Sequence, residues 1–322
     1  MASLLSVENL QVQFQTKKGI NTAVDGVSFS VEKGRILGIV GESGCGKSVT
    51  SMSILQLLGS NARISGGSIK LDGKELIGLP EKEMCRIRGN DIAMIFQDPM
   101  TALNPTLTIG TQLMEPIMLH QNCGKKEAWT RAVDVLKRVG IAAPEKRMKE
   151  YPHQLSGGMR QRVMIAMAVS CEPRLLIADE PTTALDVTIQ AQILELMCEL
   201  REKMGTAIML ITHDMGVVAE TADDVLVLYA GKAVEYGSIE DIFERPKHPY
   251  TQGLLNSIPR LDEDVELLNT IEGTVPAPDA MPAGCRFAPR CPYGKDRCMK
   301  EKPGVYHAGN SLVSCFRYGG EK

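Results

Sequence analysis

An eight-residue stretch near the N-terminus, Gly41-Glu-Ser-Gly-Cys-Gly-Lys-Ser48, has residue types and spacing that suit a bound phosphate. It matches the pattern G-x4-G-K-[ST] and lies between an apolar run at 35–40 and a helix-compatible stretch at 47–58. Its glycines let the backbone fold around a phosphate, while N–H groups and the helix N-terminus supply donors. Lys47 is expected to reach the β and γ phosphates, and Ser48 to ligate Mg²⁺. The alternative is a Gly-rich turn that only resembles the motif.

Two adjacent carboxylates, Asp179 and Glu180, could complete a site for nucleotide hydrolysis. They follow the apolar run Leu175–Ala178, which is typical of a buried strand whose carboxyl end lies beside the phosphate loop. Asp179 would hold Mg²⁺, directly or through water, and Glu180 would polarise the attacking water. Without a phosphate loop the pair could equally be a solvated strand end, but the loop favours the catalytic interpretation.

The elements that must position these residues follow from hydrophobic periodicity. Apolar runs at 175–178 and 207–211 flank the amphipathic segment Ile189–Met204, and this βαβ pattern predicts a parallel sheet. Alternating apolar residues at 10–14 and 27–31 predict an antiparallel β layer that leads the domain. The sequence therefore predicts an α/β fold.

Three other regions differ from this core. Residues 98–171 carry helix-like segments, including 127–139, and could be a helical insertion. Residues 64–96 consist of short strand-like pieces that end in the apolar run Ile92–Phe96. From about Asn256 the chain becomes rich in Pro and Gly, and the segment 274–284 (TVPAPDAMPAG) predicts an extended linker.

The overall composition narrows the functional classes. The 322 residues suggest one large domain with a smaller appendage, and the net charge of −3 gives no electrostatic excess that would point to nucleic acid. No apolar run reaches the roughly 18 residues needed to cross a bilayer, and the stretch 1–14 lacks the blocks of a signal peptide. We therefore expect a cytoplasmic chain that takes any membrane role through partner proteins.

The stretch Leu155-Ser-Gly-Gly-Met-Arg-Gln-Arg162 indicates the family. It resembles the signature motif of ABC ATPases and precedes the carboxylate strand at the interval seen in that superfamily. Ser156, Gly157 and Gly158 would begin a helix whose N-terminus can meet a γ-phosphate. As a bare tetrapeptide, LSGG could be no more than a helix N-cap.

Smaller matches accompany the signature. Gln97 resembles the Q-loop glutamine, residues 184–186 (Ala-Leu-Asp) resemble the D-loop, and His213 resembles the switch histidine. Phe14 matches the aromatic residue that stacks on adenine in this family, although its alternating strand context suits a core residue equally well. The order and spacing of these elements favour an ABC ATPase.

The resemblance implies a P-loop NTPase (RecA-like) core with an antiparallel β subdomain, a helical insertion subdomain and a small cysteine-rich C-terminal extension. It implies ATP and Mg²⁺ as ligands and a head-to-tail dimer in which each ATP lies between one phosphate loop and the other signature motif. Catalysis is then assigned to Gln97, Glu180 and His213, and Mg²⁺ to Ser48, Gln97 and Asp179. The expected ATP contacts are Phe14, Gly41, Glu42, Ser43, Gly44, Cys45, Gly46, Lys47, Ser48, Val49, Gln97 and Asp179, with Ser156, Gly157, Gly158 and Asp186 acting from the second subunit.

Longer stretches indicate a branch of the family. Residues 96–105, 151–168, 179–193 and above all 248–259 (HPYTQGLLNSIP) resemble dipeptide and oligopeptide ATP-binding subunits. This resemblance implies ATP-driven uptake of di- or oligopeptides by a complex with a second, related cassette, two transmembrane permeases and an extracytoplasmic binding protein. The alternatives are an importer of nickel or another small solute, which shares much of this sequence, and a soluble ABC ATPase, which would usually carry two cassettes or a long coiled coil. The expected location is peripheral, on the cytoplasmic face of the inner membrane.

Four late cysteines, Cys285, Cys291, Cys298 and Cys315, fall close together near the C-terminus. Their spacing, C-x5-C-x6-C-x16-C, lacks the CxxC pairs of a zinc ribbon and does not by itself name a metal. They resemble the C-terminal extension of dipeptide-type subunits, which implies a [4Fe–4S] cluster of structural rather than catalytic role. Zinc and four unligated thiols are the alternatives.

The predicted domain division follows from these resemblances. We expect a nucleotide-binding domain at 1–255, with its helical subdomain at about 98–171, and a C-terminal extension with the four-cysteine site at 256–322.

Overall fold

The computed structural model describes residues 3–17, 19–98, 102–183, 186–258, 270–277 and 280–319. Within these residues the strands form a four-stranded sheet and an eight-stranded sheet. Residues 99–101, Ala184, Leu185, residues 259–269 and part of the predicted linker (278–279) lie outside the described residues.

The four-stranded sheet is antiparallel, in the order β2-β1-β4-β5. Its strands are β1 (Ser3–Thr16), β2 (Gly19–Glu32), β4 (Ala62–Leu71) and β5 (Lys74–Glu75). The alternating residues Leu10 and Val12 on β1, and Val27 and Val31 on β2, are all buried. This confirms the antiparallel layer, because alternation is what places one face of such a sheet in the core.

The eight-stranded sheet has the order β11-β12-β10-β9-β3-β8-β7-β6, and its strands from β9 to β6 are parallel. The strands are β3 (Ile36–Val40), β6 (Ile92–Ile95), β7 (Leu175–Asp179), β8 (Ala207–Thr212), β9 (Asp224–Tyr229), β10 (Lys232–Ser238), β11 (Tyr306–Ala308) and β12 (Ser311–Val313). Every residue of β3, β7 and β8 is buried. Burial on both faces explains why these strands are continuous apolar runs in the sequence.

Helices cover the parallel sheet and form the block between β6 and β7. They are α1 (Lys47–Ile54), α2 (Glu81–Ile87), α3 (Ile109–Gln121), α4 (Lys125–Arg138), α5 (Pro144–Arg147), α6 (Gly157–Val169), α7 (Val187–Met204), α8 (Met215–Thr221), α9 (Ile239–Glu244), α10 (Pro249–Asn256) and α11 (Asp296–Lys300). None of the helices in the described ranges is long and apolar enough to cross a membrane.

Two predicted boundaries differ from the structure. α1 ends at Ile54, short of the predicted 58, because Gln56 adopts φ 50°, outside the helical region. The predicted run of strand-like pieces at 64–96 contains the helix α2, in which Met84 and Ile87 are the buried positions. Seven residues with two buried positions are too few to show a helical period in the sequence.

The hydrophobic core lies on both faces of the parallel sheet. Leu37 and Ile39 of β3 face the antiparallel layer, whereas Ile36 and Val40 face the helices. The chain also returns to this sheet near its C-terminus, since β12 pairs with β10 in the antiparallel sense. The hairpin β11–β12 therefore continues the central sheet.

Candidate nucleotide-binding site

The loop between β3 and α1 has the backbone geometry that its glycines predict. At Gly41 the backbone φ is +153°, and a Cβ placed there would lie 2.1 Å from the carbonyl oxygen of Leu228 and 2.8 Å from the sulfur of Cys45. Any residue but glycine would clash with the neighbouring strand, so this position requires glycine. The predicted order of strand, loop and helix is therefore found.

The side chain of Lys47, the first residue of α1, lies inside this loop. This side chain is buried, and its Nζ donates to the backbone oxygens of Gly41 at 2.7 Å and Glu42 at 3.2 Å. The ammonium group is thus held by the loop backbone at the start of α1, where the helix dipole also favours an anion. This arrangement suits the binding of phosphate.

Asp179, the last residue of β7, lies beside the loop. Its side chain is 4% exposed, and burial raises its pKa, a shift opposed by a hydrogen bond from the Ser48 hydroxyl. Within the described part of the chain, its Oδ1 atom has no hydrogen-bond partner. A buried carboxylate oxygen without a partner is costly, and carboxylate and hydroxyl oxygens are ligands that Mg²⁺ accepts. Asp179 and Ser48 therefore fit a Mg²⁺ ion.

Glu180 is the centre of a polar cluster formed at the carboxyl ends of three adjacent strands. Gln97, after β6, donates from Nε2 to its Oε2 at 3.0 Å, and His213, after β8, places Nδ1 3.6 Å from its Oε1. Thr183 donates to the same Oε2 atom at 3.0 Å. The structure thus brings together all three residues predicted to be catalytic and adds Thr183, which sequence reasoning missed.

The backbone of Glu180 is also unusual. Its φ is 47°, in the left-handed region, and its N–H donates to the carbonyl oxygen of Ile211 at 2.9 Å. A non-glycine residue pays about 1–3 kcal/mol for such a conformation, and residues of this kind concentrate at active sites. The unusual backbone conformation thus occurs at the residue whose side chain contacts Gln97 and His213.

The signature residues lie at the exposed N-terminus of α6. Ser156 caps the helix, accepting a hydrogen bond from the N–H of Met159 at 3.3 Å, and a Cβ added to Gly157 would meet no described atom within 4 Å. Asp186 caps α7 in the same way, with the N–H of Ile189 at 2.9 Å. All three are exposed to solvent.

Phe14 lies on β1, opposite Ala62 of β4 and Asn21 of β2. It is half-buried and packs against the core of the antiparallel layer. Packing in the sheet therefore accounts for part of its surface.

The four late cysteines line one cavity of about 210 Å³. Burial raises the pKa of the Cys285 thiol to about 11. Burial also raises the pKa of the Cys291 and Cys315 thiols, and the backbone N–H two residues after each cysteine opposes the shift, from Phe287 at Cys285, from Tyr293 at Cys291 and from Arg317 at Cys315. Nevertheless, among the residues described, no group of three or more His, Cys, Asp or Glu side chains could hold a metal ion.

Two further residues, which were not predicted from the sequence, contact the phosphate loop. The Glu42 N–H donates to Oη of Tyr250 at 3.0 Å, and Arg290 donates from Nη1 to both carboxylate oxygens of Glu42 at 2.9 and 3.0 Å. Tyr250 belongs to the stretch 248–259, which served only as a marker of the family branch. No motif or residue pattern in the sequence indicated a role for Arg290.

Solved structures share this fold. A dimeric ATP-binding cassette in a post-hydrolysis state with ADP and phosphate matches with a TM-score of 0.66 and 27% identity, over 73% of this chain and 98% of that one. The cbiO1 protein of Clostridium perfringens, part of an ABC transporter complex, matches with a TM-score of 0.65 and 28% identity, over 76% of this chain and 92% of that one. The predicted P-loop NTPase fold, with mixed α/β content and an antiparallel sheet, is confirmed.

Relatives match over nearly the full length of the chain. It is 56% identical to the oligopeptide transport ATP-binding protein AppD of Bacillus subtilis, over 99% of this chain and 98% of AppD. It is 52% identical to the oligopeptide transport ATP-binding protein OppD of Escherichia coli, over 98% and 93% of the two chains. Residues 24–183 match the ABC transporter family and residues 234–298 the C-terminal region of oligopeptide/dipeptide transporters. The chain therefore belongs to the ATP-binding subunits of the oligopeptide and dipeptide branch of the ABC transporters.

Proposed function

We propose that this chain couples ATP binding and hydrolysis to the uptake of di- or oligopeptides, as a peripheral subunit on the cytoplasmic face of the inner membrane. The cluster of Glu180 with Gln97 and His213 beside the phosphate loop carries this proposal, since it supplies the residues that ATP hydrolysis needs. The names of the full-length relatives support peptides as the transported solute.

The site residues have distinct proposed roles. Lys47 and the N–H groups of the loop bind the β and γ phosphates, and Asp179 and Ser48 would hold Mg²⁺, which supplies charge neutralisation when bound. Glu180 orients the attacking water and accepts its proton, while Gln97 and His213 hold the Glu180 carboxylate in position. Catalysis then depends mainly on positioning and charge.

A second cassette would complete the site. Ser156, Gly157 and Asp186 are exposed at helix N-termini and Gly158 is half-buried beside them, and we propose that these four residues contact ATP bound to the other cassette. The rest of the proposed complex is a related second cassette, two permeases and a binding protein. We also propose a nucleotide-binding domain at 1–255 and a cysteine-rich extension at 256–322.

Peptide-loaded binding protein should stimulate the ATPase of the intact complex. The expected result is a several-fold higher rate of phosphate release in membranes or vesicles that hold all the subunits, and the rate should saturate with peptide concentration. The matched control is the same binding protein without peptide. Stimulation by nickel but by no di- or oligopeptide would contradict peptide uptake and support the alternative solute.

We further propose that the four cysteines hold a [4Fe–4S] cluster. Their shared cavity is also lined by Lys295, Arg297 and Arg317, and none of its described lining residues is acidic, although Arg297 pairs with Glu301 outside the lining at 2.9 Å. The basic lining residues suit an anionic cluster, and backbone N–H groups that act on three of the thiols are of the kind that tune such clusters. The resemblance of this segment to dipeptide-type subunits favours iron–sulfur over zinc, whereas the side-chain positions in the described part of the chain favour neither metal.

The cluster proposal predicts the metal content of the protein. Anaerobically purified full-length chain should be brown and should contain iron and acid-labile sulfide in equal amounts. Replacing Cys291 by Ser should remove most of both, whereas replacing the distant, exposed Cys85 by Ser should not. Colourless protein that contains zinc, or neither metal, would overturn the proposal.

A further inference from the structure

The phosphate loop contains a carboxylate that should oppose its function. Glu42 is the second residue of the loop, and an unpaired negative charge beside the phosphates of a nucleotide would repel them. Arg290 forms a salt bridge with this carboxylate. Its Nη1 donates to Oε1 of Glu42 at 2.9 Å and to Oε2 at 3.0 Å. The pair joins residues that are 248 positions apart in the chain.

Other contacts fix the position of Arg290. The side chain is only 6% exposed, compared with 30% for Glu42. Its Nε donates to the carbonyl oxygen of Glu272 at 3.0 Å and its Nη2 to that of Ile271 at 3.1 Å. Its Nη1 also lies 3.4 Å from Oη of Tyr229. These protein contacts fix the guanidinium group without any contribution from a nucleotide. Its partner on the phosphate loop is Glu42.

The segment that carries Arg290 also carries the cysteines. Arg290 ends a short 3-10 helix (Ala288–Arg290) and directly precedes Cys291. Phe287, two residues after Cys285, packs against the rings of Tyr229 and Tyr250 at centroid distances of 5.1 and 5.4 Å. Tyr250 in turn accepts the hydrogen bond from the Glu42 N–H. The cysteine segment thus contacts both the carboxylate of Glu42, through Arg290, and its backbone, through Tyr250.

We propose that Arg290 is a positioning residue of the nucleotide site, which neutralises Glu42 and thereby makes nucleotide affinity depend on the folding of the four-cysteine segment. The inference rests on ATP binding at the phosphate loop. It requires neither a particular transported solute nor a particular metal at the cysteines.

The proposed neutralisation of Glu42 by Arg290 is tested by measuring the affinity of the full-length chain for a fluorescent, non-hydrolysable ATP analogue. Arg290→Gln should weaken this affinity about ten-fold, because it leaves a carboxylate unpaired beside the phosphates. Glu42→Gln in the Arg290→Gln background should restore most of the loss, and Arg290→Lys should lose less than Arg290→Gln. Merely local unfolding would not be reversed by removing the charge of Glu42.

A matched control is available in the helical block. Arg147 donates from Nη1 to the two oxygens of Glu150 at 2.9 and 2.8 Å, the same geometry as Arg290 with Glu42. Arg147→Gln should leave the affinity for the analogue unchanged. Unchanged affinity in Arg290→Gln, or no restoration by Glu42→Gln, would overturn the proposed role of Arg290.

The dependence on the cysteine segment is tested by combining variants. Cys291→Ser should weaken binding of the analogue, and adding Arg290→Gln should cause little further loss, since both changes act through the same contact. Fully additive losses would show that the segment does not act through Arg290. Iron content, measured on the same samples, reports separately on the cluster, so failure of one proposal can be told from failure of the other.

Discussion

Replacing Glu180 by Gln is expected to slow ATP hydrolysis by about 10²–10⁴-fold, the usual effect of losing a general base. Gln cannot accept a proton from the attacking water, but it has nearly the same size and can still interact with Gln97 and Thr183. Binding of ATP should therefore be preserved. The measurement is the rate of phosphate release by the assembled transporter, together with the affinity for ATP.

Glu172→Gln is the matched control for this change. Glu172 also has a positive φ, of 53°, but lies on the surface and pairs with Arg138 at 3.1 Å. This variant should hydrolyse ATP at the wild-type rate. A wild-type rate in Glu180→Gln itself would show that another residue activates the water.

Replacing Gly157 by Asp is expected to reduce ATPase activity of the assembled transporter by about 10²-fold or more, similar to the loss of a catalytic hydrogen-bond donor. The new carboxylate would lie at the N-terminus of α6. We propose that the γ-phosphate of ATP bound to the second cassette lies at this helix end, so the two negative charges would repel each other. The protein should nevertheless fold, because a Cβ at this position meets no described atom within 4 Å, and Asp near a helix N-terminus stabilises it by about 0.3–1 kcal/mol. ATPase rate and thermal unfolding midpoint together check this prediction.

Gly124→Asp provides the control for the added charge. Gly124 caps the N-terminus of α4, and a Cβ there likewise meets no described atom within 4 Å. This variant should retain both activity and stability. An active, stable Gly157→Asp transporter would contradict the composite site, whereas a Gly157→Asp chain with a lowered midpoint would contradict the expectation that it folds normally.

The parallel core could be predicted from the sequence because its strands are buried on both faces. β3, β7 and β8 are continuous apolar runs, and each is followed by residues whose chemistry is recognisable. Since parallel strands end at the same edge of a sheet, the sequence also places Asp179, Glu180 and His213 together. The clustering of these residues follows from topology.

Other features of the fold could not be predicted from the sequence. The hairpin of β9 and β10 was not predicted, because its turn uses Ala230 at φ 48° where Asn or Asp would be the usual indication. The pairing of β12 with β10, and of Arg290 with Glu42, joins distant segments of the chain. Periodicity and motifs describe local structure, so they contain no information about such contacts.

We propose that Glu180 activates the water that hydrolyses ATP on this phosphate loop, in a site that a second cassette completes. The most direct test is an experimental structure of the whole transporter carrying Glu180→Gln, determined with ATP and Mg²⁺. We predict ATP enclosed between this chain's Lys47 loop and the signature helix of the second cassette, with Asp179 and Ser48 at the metal. ATP bound to this chain with the second signature helix far from its γ-phosphate, in every class of particles, would contradict this proposal.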